Sequence, residues 1–204
     1  MKILEASLMS SLQAARDAGI APVYFAWIEG RNRDTGAIEG LGFWSGDEDH
    51  GFNVQTPSGG LTSRAYIGGC NLAISDPTYV ADWTDNPITV SLSQIADAAQ
   101  YLARGLDLRL AYVETHVSTW DGGQLSSNPQ LHWIGIVDDA QISTPAAGGN
   151  GGISLTVRSE LLSQMSTVNP AKSSDAHQKR RRAGDKFSIY SGMIKSRKIQ
   201  WWKE

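Results

Sequence analysis

Between Pro22 and Thr144 the chain is a succession of runs rich in β-branched and aromatic residues: VYFAWIEG, GAIEGLGFWSG, FNVQT, SRAYIGG, NLAIS, PITVSLS, DLRLAYVETHVSTW and LHWIGIVDDAQIST. Side chains that alternate with a period of two lie on opposite faces of an extended backbone, so these runs read as strands. Turn signals recur between them. RNRDTGAIEG reads as a hairpin tip in which Asp34, Thr35 and Gly36 supply polar residues and a glycine for positive φ. SDPTYVADWTDNP and WDGGQLSSNP read as longer loops. The expected body is therefore mainly β, an antiparallel β-sandwich or barrel.

The period changes in two places. Over residues 3–18, Ile3, Leu4, Leu8, Leu12 and Ala15 fall at helical spacing, with Gly19 and Pro22 as a stop. In LSQIADAAQYLARG, Ile95, Ala98, Ala99 and Leu102 share a helical face, which predicts a short helix over 94–103 closed by Gly105. HWIGIVDDAQIST and GGISLTVRSELLSQM, joined by PAAGGNGG, read as a hairpin whose flexible loop orders against a partner. The expected organisation is an N-terminal helix in 1–20, a β-rich body in 21–170 that divides into 21–84 and 85–170 if it is two subdomains, and a C-terminal segment 171–204.

That last segment differs in charge from everything before it. Ten Lys and Arg stand against three acids after Pro170, a balance of +7, while residues 1–170 hold eight bases and eighteen acids, a balance of −10. The overall −3 conceals this division. A chain so polarised has a use for contact with other surfaces, either nucleic acid or the acidic bodies of neighbouring copies. Trp201 and Trp202 favour protein docking, because aromatic anchors beside arginine are concentrated at protein interfaces. Lys179, Arg180, Arg181, Arg182, Phe187, Tyr190, Trp201 and Trp202 are the candidate interface residues. Nucleic-acid binding, with QKRRR on phosphates and the tryptophans stacked on bases, stays open beside it. Whether the segment docks in cis or in trans also stays open.

Residues that would carry catalysis are sparse. The histidines, His50, His116, His132 and His177, form no HExxH and no close pair. No GxSxG or SxxK is present, and GGNGG lacks the Gly-Lys-Ser/Thr of a phosphate loop. Cys70 excludes an intrachain disulfide and reads as a small buried side chain after Gly68 and Gly69. GDEDHG at 46–51 reads as a solvated acidic turn rather than a Ca²⁺ or Mg²⁺ loop. Asp138 and Asp139 are neighbours on a strand and point to opposite faces, so they read as structural. No catalytic residue, cofactor or metal is expected. The first nineteen residues carry Glu5, Arg16 and Asp17 and no long apolar run, which predicts a soluble chain without a signal peptide or membrane span.

The closing text SSDAHQKRRRAGDKFSIYSGMIKSRKIQWWKE resembles the final segment of tail-tip proteins from long-tailed, siphovirus-like bacteriophages. The matching positions are Ser174, Asp175, Ala176, Gln178, Lys179, Arg180, Gly184, Asp185, Phe187, Tyr190, Ile199 and Trp201. ITVSLSQIADAAQYLARGLDLRLAYVETH, WIGIVDDAQIST and ISLTVRSEL also resemble tail proteins in which a lumen-lining β layer surrounds a short helix, so the resemblance covers roughly residues 85–204. It implies a tail-tube-like fold and a non-enzymatic baseplate component of the distal tail or hub class, a trimeric or hexameric ring assembled in the bacterial cytoplasm and carried in the virion. Other tail and baseplate proteins are the implied partners, and DNA passes through the channel without specific binding. The iron–sulfur cysteine cluster of some hub relatives is not carried over, since Cys70 stands alone. On this reading the strands and hairpin between Pro87 and Met165 line the channel, with acids such as Glu114, Asp138 or Asp139 facing inward.

Overall fold

The computed structural model of the protein describes residues 4–15, 19–78, 84–121, 123–146, 151–166, 174–193, 196 and 202. The chain divides into two compact units, 1–165 and 166–204. In order, the elements of the first are α1 (Ala6–Ala14), β1 (Pro22–Asn32), β2 (Ile38–Trp44), β3 (His50–Gln55), β4 (Leu61–Tyr66), β5 (Ala73–Ile74), β6 (Ile88–Ser93), α2 (Asp97–Gly105), β7 (Leu106–Asp121), β8 (Gln124–Leu125), β9 (Gln130–Ser143), β10 (Gly152–Ser159) and α3 (Glu160–Ser166). The second carries α4 (Asp175–Arg181).

The first unit is mainly β, built on a curled antiparallel sheet that forms half a barrel. Its strand order is β2-β1-β7-β9-β10-β6-β5, and β3 and β4 form a separate hairpin. Because β1 pairs with β7 from Pro22↔Thr119 to Asn32↔Leu106, segments on either side of residue 84 share one sheet. Alternation along the strands separates two cores. Ala26, Ile28, Phe43, Val90, Leu102, Val113, Leu155 and Val157 belong to the larger, to which α2 contributes Ala99 and Leu102. Val23, Phe25, Trp44, Val54 and Tyr66 form the smaller, with Trp27 and Phe52 packed on it.

Local chemistry accounts for several elements. The β1–β2 tip turns on Asn32, whose Oδ1 accepts from the Asp34 and Thr35 N–H groups, while Gly36 takes the positive φ of 72° that the turn requires. β9 and β10 form the expected hairpin, paired from Gly152↔Ser143 to Ser159↔Gly135, and the loop residues 147–150 lie outside the described residues. Its second strand is shorter than the sequence suggests, because ELLSQM turns into α3. WDGGQLSSNP is also more ordered than a loop: β8 folds back on β7 through Trp120↔Leu125, with Gly123 at φ 92°.

The helices fall where the period changes, with revised limits. α1 covers Ala6–Ala14 and buries Leu8, and residues 3 and 16–18 of the expected span lie outside the described residues. α2 begins at Asp97, leaving Ile95 outside the helix and 88% exposed instead of on its apolar face. Gly105 does not end it through a left-handed cap: the chain passes directly into β7 with Leu106 extended, and the Tyr101 ring occupies the space a Cβ would need at Gly105.

The β3–β4 hairpin is fastened to the sheet by a charged cluster. Arg64 forms a close ion pair with Glu114 of β7, and its guanidinium carbon lies 4.6 Å from the centre of the Trp27 ring. Both side chains are largely withdrawn from water, at 14% and 4% exposure. His116, fully buried, donates from Nε2 to the Gln55 carbonyl at 2.9 Å, and Gln55 Oε1 accepts the Leu131 N–H. Around this, Phe25, Phe52 and Tyr66 meet edge to face at 5.1–6.0 Å between ring centres. Trp27 and Tyr66 leave no room at Gly42, where a Cβ would stand 2.5 Å from the Ala65 carbonyl oxygen and 2.8 Å from the Tyr66 ring.

Two outcomes follow from this packing. Gly42→Ala should cost about 1–3 kcal/mol in urea unfolding, as overpacking against backbone does, whereas Gly51→Ala, whose nearest neighbour lies at 4.0 Å, should stay within about 0.5 kcal/mol. Burial pushes the Tyr66 phenol up to about 12 from its ordinary 10.0. An unfolded tyrosine then ionises first as pH rises. The stabilisation is complete below pH 10 and lost between 10 and 12, about 2–3 kcal/mol in all, and Tyr66→Phe should flatten that part of the stability–pH curve.

Candidate docking site

The basic segment acquires local order from its own residues. Ser174 is the N-cap of α4, with its Oγ accepting the His177 N–H at 3.3 Å. Asp175 sits in the first turn and Lys179, Arg180 and Arg181 in the last, so both signs complement the helix dipole. Lys179 Nζ bonds Asp175 Oδ2 at 2.7 Å across one turn. Seven residues make a marginal helix in water, and these end contacts are what favour it.

Beyond the helix the chain makes a series of tight turns. Asp185 Oδ1 accepts the Phe187 N–H, and the Ile189, Ser191 and Met193 N–H groups reach the carbonyls three residues before them. This arrangement leaves large apolar side chains in water: Phe187 is 89% exposed, Tyr190 65%, and Met193 and Ile189 are exposed as well. Trp202 is 84% exposed. Lys179, Arg180, Arg181 and Arg182 are all exposed, brought together on the last turn of α4 and its C-cap. Trp201 lies outside the described residues, as do Lys172, Lys195, Arg197, Lys198 and Lys203. Exposed cations next to exposed aromatics match the composition concentrated at protein interfaces.

The first unit supplies the opposite charge, with one correction. Asp138 and Asp139 are exposed on β9, Asp138 lying 3.4 Å from Arg158 beside a register shift against β10. Glu114, expected to face a channel, is instead 3% exposed and committed to Arg64. It cannot contribute charge to a lumen. The GDEDHG turn is held rather than loose: the Glu48 carbonyl accepts from Trp44 Nε1 at 2.7 Å, and Asp49 Oδ1 accepts the Gly68 N–H at 3.0 Å. Asp47 and Glu48 remain exposed on it.

Among the described residues, no group of three or more His, Cys, Asp and Glu is arranged to hold a metal ion, and no helix is long and apolar enough to cross a membrane. Cys70 is 1% exposed, and burial together with Asp49 pushes its thiol up, away from the thiolate a nucleophile requires. The Arg64, Glu114 and His116 cluster escaped the sequence reading. Its signal was present in LAYVETHV, where Tyr112, Glu114 and His116 share one face of an otherwise apolar strand. No protein-family model matches the chain, and no curated protein matches it.

Because Arg180 and Arg181 complement the dipole at the end of α4, converting them and Arg182 to Glu should weaken that seven-residue helix while leaving the thermal unfolding of the β body within about 1 kcal/mol, as for surface sites generally. Circular dichroism melts check this.

Proposed function

We propose that the protein is a structural component of a bacteriophage tail tip or baseplate, forming a ring around the tail channel and joining the tail tube to hub or fibre proteins. The observation that carries this reading is the division of labour within the chain. A β body with a balance of −10 precedes a separate compact unit with a balance of +7, whose aromatic side chains stand in water. Head-to-tail contacts between unlike surfaces close into rings when they repeat about an axis. The resemblance of residues 85–204 to tail-tip proteins gives that geometry a setting, and a channel walled by acids repels DNA and lets it slide. The role is scaffolding, with no chemical step, and its place is the virion.

A second reading rests on the same exposed arginines: nucleic-acid binding by Arg180, Arg181 and Arg182 with Trp202 stacked on bases. The acidic first unit disfavours it by repelling phosphates. Fluorescence anisotropy with labelled duplex and single-stranded DNA separates the two. Scaffolding predicts no saturable binding at physiological salt, whereas tight binding with a steep salt slope would favour the alternative.

A chain ending at Pro170 should fail to enter tails and abolish infectivity, which plaque counts and electron microscopy of the particles would register. Normal particles built from that chain would reject docking. A reconstruction with this protein away from the tail axis would reject the ring.

A further inference from the structure

A cleft of about 1220 Å³ opens in the first unit, bounded by the start of α1, the start of β1, the acidic turn after β2, β3, and the turn between β7 and β9. Its chemistry is one-sided. Glu5, Asp47 and Glu48 line it together with His50, and among the described residues no lysine or arginine does. Glu5 already accepts one hydrogen bond, from Gln130 Nε2 to its Oε2 at 2.9 Å. Asp47 and Glu48 pair with no cation among the described residues. The lining also includes Trp44, 8% exposed, and Trp120, 44% exposed, so carboxylates and indole rings line the same space.

We infer that this cleft receives the basic segment of a second copy of the chain, with Arg180, Arg181 and Arg182 meeting Glu5, Asp47 and Glu48, and with Trp120 offering a face to a guanidinium or an incoming aromatic ring. The inference rests on the ring assembly proposed above and names the surface that each segment finds. Three arguments select this occupant. Carboxylates beside indole rings favour guanidinium over other cations, because arginine is weakly hydrated, binds carboxylates in pairs of hydrogen bonds and stacks on aromatic faces. The volume exceeds the usual span of small-molecule pockets, roughly 300–1,000 Å³, and suits several side chains of a peptide segment. The chain itself carries the complement, three exposed arginines in succession followed by exposed aromatics.

The test compares full-length protein with two charge reversals, Asp47→Lys with Glu48→Lys in the cleft, and Arg180→Glu, Arg181→Glu and Arg182→Glu in the segment. All five positions are exposed, so folding should survive, and near-ultraviolet circular dichroism checks it. Sedimentation velocity over a concentration series should show that the wild type self-associates less as salt is raised. Each reversal alone should weaken association by about tenfold or more, the effect of losing close charge pairs at an interface. An equimolar mixture of the two variants should recover it, since native segment then meets native cleft and reversed segment meets reversed cleft. Trp120→Ala should weaken association without altering the salt slope.

Association that survives cleft reversal but not segment reversal would overturn the cleft assignment and leave the docking reading standing. Association indifferent to both would overturn the two together. A wild type that remains monomeric at every concentration overturns the second-copy occupant. So does a photo-crosslinker at Phe187 that links to the cleft only within one chain.

Discussion

The guanidinium of Arg64, held between the Glu114 carboxylate and the Trp27 ring, is the contact on which the smaller core depends. A charge in so little water is tolerated only with its counter-charge in place, and losing one partner of such a pair typically costs about 3–5 kcal/mol. The pair also specifies position. An aromatic cluster alone would allow the β3–β4 hairpin to slide over the sheet, since edge-to-face rings accept a range of offsets. The ion pair and the His116 hydrogen bond to Gln55 allow one register. Because β3 and the turn preceding it form one wall of the cleft, that register also sets where Asp47, Glu48 and Phe52 stand relative to Trp120.

Much of this architecture was legible in the chain, and the reason is local. The strand runs from VYFAWIEG to ISLTVRS could be read because alternation has a period of two and needs no knowledge of distant partners. The helix limits were less legible. Ile95 matches the apolar face of α2 by spacing, but the backbone enters the helix only at Asp97, and a periodic pattern does not say where a helix starts. ELLSQM shows the same ambiguity, since a short apolar run suits a strand or a helix until its neighbours choose. The burial of Glu114 is not legible locally, because its partner Arg64 is fifty residues away in the sequence, on a hairpin whose docking no local pattern reveals.

The docking segment presents the opposite case. Its composition suggests docking, while the surface proposed for it could not be read at all, because that surface gathers the start of α1, the start of β1, the β2–β3 turn with β3, and the β7–β9 connection from four distant stretches. Charge supplies the long-range part of recognition and the aromatic rings the short-range part. Rim charges act mainly on the rate of encounter, and a well-packed centre on the lifetime of the contact. Under the proposed docking, placing both in one short segment would let subunits be added quickly and kept.

The β1–β7 pairing carries a further consequence for the order of events during synthesis. Hairpin β1–β2 closes over a five-residue tip, whereas β1 finds its other neighbour only after some ninety residues have followed it. Pairing over such a span is slow, because the entropy of closing the loop is lost before contacts return anything. Every wall of the acidic cleft lies upstream of residue 130, and the cationic segment follows the last strand of the body. Under the proposed docking, a ribosome therefore delivers the cleft before the segment that would enter it.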